Sequence, residues 1–71
     1  MDTTQQILTA LQELHEAHPS WRFGQLVANI SIFAKGPVNT AVWDVGDEEF
    51  LKAAQAHLAH TQEKQREAVA A

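Results

Sequence analysis

Apolar positions recur at helical spacing in three stretches of the chain, and the breaks between them carry the residues that end helices. In the first, Ile7, Leu8, Leu11, Leu14 and Ala17 follow one another three or four apart, while Gln5, Gln12, Glu13 and Glu16 fall on the other side. That pattern predicts an amphipathic helix over about 4–17, opened by Thr3 and Gln6 as a capping box. His18 precedes Pro19, which disfavours helical backbone at the residue before it, so 18–20 reads as a tight connection.

The second stretch, SWRFGQLVANISIFAKGP, predicts a helix over about 21–35, with Ser20 as N-cap and Gly36 and Pro37 as its end. Phe23, Leu26, Val27, Ile30, Phe33 and Ala34 share one face, and Trp21 and Ile32 lie nearly opposite, so this helix needs cover on two sides. Gly24, Ala28 and Ser31 form a small-residue strip, which suits close approach of another backbone. What remains is a narrow polar line of Arg22, Gln25 and Asn29.

The third stretch predicts a helix over about 47–62. Asp47, Glu48 and Glu49 sit in its first turn, where carboxylates favour the positive end of the helix dipole, and Phe50, Leu51, Ala54, His57, Leu58 and Thr61 form its buried stripe. Beyond it, an extension to residue 71 has helix-forming residues without a strong apolar stripe, and reads as a solvated projection or a fraying end. Between the second and third helices, VNTAVWDV is β-branched but alternates too loosely to require a strand. A loop pressing Val42, Trp43 and Val45 onto the core is favoured over a strand paired with a second copy. Trp43 is then a lid over the core or an anchor for a contact. The fold expected is all-α: one three-helix small domain over 1–71 with an irregular or extended crossover between helices 2 and 3.

Composition sharpens this picture. At 71 residues and without cysteine, the chain is near the size at which a single core suffices, and oligomerisation is the remaining common device for stability. A homodimer or a bound host or cellular protein is therefore expected. The net charge is −4 and the five basic residues Arg22, Lys35, Lys52, Lys64 and Arg66 form no cluster, which disfavours nucleic acid as a partner. No segment approaches the roughly 20 apolar residues that span a bilayer, and the first residues lack a basic, apolar leader. The expectation is a soluble, cytoplasmic protein without a membrane partner.

Candidate chemistry is sparse. His15 and His18, and likewise His57 and His60, stand three apart, a spacing that can put two imidazoles on one helical face. His18 abuts a proline, His57 lies on an apolar stripe, and no glutamate stands three before a histidine, so helix-end histidines are favoured and no metal or cofactor is assigned. Cysteine is absent, no phosphate-binding glycine loop or nucleophile elbow occurs, and the acidic residues near position 47 lack the calcium-loop order. An enzyme is not expected.

Arg22, Gly24, Gln25, Leu26 and Asn29, in R-F-G-Q-L-V-A-N, followed by Trp43 and by D-E-E-F at 47–50, carry a resemblance. Over roughly the middle half of the chain these residues resemble a family of small uncharacterised proteins from bacteria and their phages. Gly46 interrupts the acidic run that the resemblance leads one to expect. The resemblance implies no activity and suggests mobile-element origin.

Two roles suit the polar line. Arg22 can pair with Asp44, Asp47 or Glu48 and fasten helix 2 to helix 3, or Arg22, Gln25 and Asn29 can face a partner beside Trp21 and Trp43. The reading is a non-catalytic protein–protein interaction module. A stoichiometric inhibitor of a host defence protein is a sharper version, and a metal-binding or hydrolytic protein with a subunit-shared site is the competing class.

Overall fold

The first helix, α1 (Thr3–Ala17), is opened by Asp2, whose carboxylate accepts the Gln5 N–H at 2.8 Å. The cap is thus one residue earlier than the Thr3 box, because Asp2 offers a charged acceptor to the amides at the positive end of the helix. The computed structural model describes the backbone of residues 2–70 and the side chains of residues 2–62. Three further helices follow: α2 (Phe23–Lys35), α3 (Ala41–Asp44) and α4 (Asp47–Ala70). Among the described residues there is no strand, and the domain is all-α as expected. The third expected helix is α4, which continues past residue 62; the surroundings of the side chains in the extension lie outside the described residues.

Two boundaries differ from the sequence expectation. Ser20 is not the N-cap of α2. His18, Pro19, Ser20 and Trp21 form a turn closed by the Trp21 N–H donating to the His18 carbonyl at 3.0 Å, with Pro19 at the second position that proline favours. The chain must complete that turn before a helix can start, so Arg22 becomes the N-cap, with no side-chain hydrogen bond to the first turn. The crossover also differs: α3 supplies one helical turn where a loop or strand was expected, with the Asp44 N–H donating to Thr40 and the Val45 N–H to Ala41. Thr40 steadies it by donating its hydroxyl to the Asp44 carboxylate at 2.8 Å.

The core is a single cluster of Ala10 and Leu14 from α1, Leu26 and Ile30 from α2, and Phe50, Ala53, Ala54 and Leu58 from α4. The largest helix interface is between α1 and α4, and the alanines of α4 let the two helices approach. Ile7, Leu11, Trp21, Val27, Ala34, Val45 and Leu51 border the cluster half-buried. Ser31 is fully buried and satisfied, its hydroxyl donating to the Val27 carbonyl at 2.7 Å. A close approach at Gly24 does not occur, since a Cβ built there meets nothing within 4 Å.

The ends of α2 and α4 meet on one side. Gly36 closes α2 with φ 94° and ψ 170°, a backbone that glycine adopts without strain. The Gly46 N–H donates to the Glu49 carboxylate at 3.1 Å, so the residue at the third helical position reaches back to the residue before α4. The other oxygen of Glu49 accepts from Lys35 Nζ at 3.2 Å.

Candidate interaction surface

The short helix α3 exists because Ala41 is the one residue of its turn that enters the core side; it is buried, whereas Val42 and Trp43 point outward. Only the first residue of so short a helix is buried, which leaves its large side chains without cover. Trp43 is 88% exposed, which overturns the expectation that it lids the core, and of the residues expected to press inward only Val45 packs against the core cluster. Val38, Val42 and Ile32 are each exposed as well. With Ala28, Pro37, Asn39 and Ala41, those three line an open hollow of about 340 Å³ between α2 and α3. Its walls are apolar apart from Asn39, and it holds no titratable side chain. It can bind by shape and hydrophobic contact, and it has no group for acid–base or nucleophilic chemistry.

Arg22, Gln25 and Asn29 run along α2, Gln25 and Arg22 exposed and Asn29 half-buried. Among the described residues Arg22 makes no ion pair, so its expected bond to Asp44, Asp47 or Glu48 is not formed. Arg22 stands at the start of α2, whereas the carboxylates of early α4 meet its end, where Lys35 takes the fastening role. Lys35 and Glu49 are a pair that the sequence reading missed. Their positions gave a signal, a cation in the last turn of one helix and an anion in the first turn of the next, both favoured by the helix dipoles. The same contact, with the Gly46 amide as the larger influence and Lys35 second, holds the Glu49 carboxyl below its ordinary value.

Trp21 belongs elsewhere. Its indole stacks on His18 with ring centroids 4.0 Å apart and planes within 9°, and it is tilted against His57 at 5.8 Å. His57 also meets the Phe33 ring edge-on at 6.0 Å, while His15 stacks on Phe23 at 4.4 Å. Phe23 and Phe33, expected on the core face of α2, are more than half exposed and instead flank imidazoles at its two ends. His18 Nε2 lies 3.1 Å from His57 Nε2. Thus the structure joins one histidine from each sequence pair, and packs Trp21 against both of the histidines it joins. Among the described residues no group of three or more histidine or acidic side chains is placed to hold a metal ion. No described helix is long and apolar enough to cross a membrane.

No family model, curated protein or solved structure matches the chain.

Proposed function

We propose that this chain is a non-catalytic protein–protein interaction module, and that the surface formed by Ile32, Val38, Val42 and Trp43 is where it binds a second copy of itself. The observation that carries this reading is Trp43, which leaves 88% of its surface in water and follows Val42, itself exposed in the apolar hollow that Ile32 and Val38 also line. Tryptophan at the centre of an apolar surface is the commonest anchor of protein contacts, because its burial contributes more than that of any other side chain. Self-association also fits a chain of 71 residues with no cysteine, for which a second copy extends a small core. Gln25 and Asn29 lie along the neighbouring face of α2 and supply polar groups at the rim.

Fluorescence of Trp43 tests this reading. In a Trp21→Phe chain, Trp43 is the sole tryptophan. Its emission is expected to shift to shorter wavelength as protein concentration rises, because association removes water from the indole. Emission at the fully hydrated position over the whole concentration range contradicts the proposal.

A further inference from the structure

We infer that His18 and His57 form a binding site for a divalent transition-metal cation of the zinc or nickel type, held between their two Nε2 atoms. This inference is independent of the Trp43 surface. The two imidazoles come from positions 39 apart in the chain, one from the turn after α1 and one from the middle of α4, and their Nε2 atoms are 3.1 Å apart. Two ring nitrogens at that distance share a hydrogen bond, one Nε2–H donating to the lone pair of the other, and a metal ion can take the place of that hydrogen between the two Nε2 atoms. Bonds of about 2.0–2.1 Å at a tetrahedral angle set two imidazole nitrogens about 3.3–3.4 Å apart. A metal thus replaces the shared proton if the rings part by a few tenths of an ångström.

The surroundings hold both rings for that exchange. Trp21 lies flat on His18, and the hydrogen bond from its N–H to the His18 carbonyl at 3.0 Å fixes the turn that brings the two side chains together. Phe33 meets His57 edge-on. Such fixed orientation lowers the entropy lost on binding, since neither imidazole need be gathered from a wide set of rotamers. Both histidines are half-buried, so an ion reaches them from solvent, and the net charge of −4 favours its approach. Nitrogen donors select zinc, nickel or copper over magnesium and calcium, which require oxygen ligands. As no third ligand is present among the described residues, water completes the coordination.

The test is isothermal titration of the full chain, free of any histidine tag, with zinc chloride and then nickel chloride. One ion per chain is expected to bind. His18→Gln or His57→Gln is expected to weaken binding about tenfold or more, and His15→Gln and His60→Gln to leave it unchanged. Absence of binding heat with both metals, or equal binding by the His18→Gln chain, overturns the inference. Because His57→Gln also alters the packing of α4, a second measurement uses the unaltered chain: paramagnetic broadening by substoichiometric copper(II) in amide-resolved NMR. Broadening centred on residues around His18 and His57 supports the site, and broadening centred on His15 or His60 overturns it.

Discussion

Lys35 Nζ stands 3.2 Å from Glu49 Oε2, and this ion pair ties the last residue of α2 to the first turn of α4 across the crossover. The same carboxylate takes the Gly46 amide with its other oxygen, so one side chain both caps α4 and binds α2. Its ionised form is therefore favoured by folding, and its lowered value makes stability depend on pH. For a carboxyl whose value is lower in the folded than in the unfolded chain, the contribution is present above the unfolded value and lost as pH falls through the folded one. Wild-type melting temperature should exceed that of Glu49→Gln at neutral pH. That difference should shrink as pH falls below 4.5, the ordinary value for the group, and added salt should reduce it too. Thermal denaturation of both chains over a pH series checks this. A difference independent of pH would assign the effect to the hydrogen bond alone.

The two glycines that flank the crossover should respond to substitution with opposite sign. Gly36 has φ 94° with open space where a Cβ would stand, so Gly36→Ala strains only the backbone. A loss of about 1–2 kcal/mol is expected in urea denaturation.

Gly46 is not in that region of backbone space, and a Cβ there would meet only the Glu49 carboxylate oxygen at 3.4 Å, the far end of a flexible side chain. Gly46→Ser adds a hydroxyl acceptor at the start of α4 and restricts the unfolded chain. It should raise stability by about 0.5 kcal/mol, read as a higher urea midpoint.

Leu26 is fully buried and touches the one cluster shared by α1, α2 and α4. Leu26→Ala should cost about 2–5 kcal/mol. Total stability for a chain of this length is on the order of 5 kcal/mol, so much of the helical circular dichroism at room temperature should be lost. Leu8→Ala, on an exposed position of the same kind of helix, should change stability by less than about 0.5 kcal/mol.

The helices were legible because each apolar stripe is dictated by local period and bounded by local signals: Pro19, Gly36, Pro37 and the acidic run at 47–49. Leu14, Leu26, Ile30, Phe50, Ala54 and Leu58, all expected to face inward, do so. Legibility ended where tertiary placement decides. Phe23 and Phe33 share the helical face of Leu26 and Ile30, but they meet His15 of α1 and His57 of α4 and stay more than half exposed. Which end of α2 meets the start of α4 is set by tertiary placement, and it is the Lys35 end, not the Arg22 end, that reaches the acidic residues. The turn at 41–44 is too short to show a period, so nothing in its residues said that Ala41, the smallest, would be the one buried while Trp43 was left in water. The contact between His18 and His57 joins positions 39 apart, beyond the reach of any spacing rule.

If the exposed surface at Trp43 binds a second copy of the chain, removing that side chain abolishes association. Sedimentation velocity over a concentration series, comparing the wild type with Trp43→Ala, tests it most directly. The wild type is expected to move from monomer towards twice its 7.9 kDa mass as concentration rises, and the Trp43→Ala chain to stay monomeric with unchanged helical content. A wild type that remains monomeric throughout, or a dimer that survives the loss of Trp43, would contradict it.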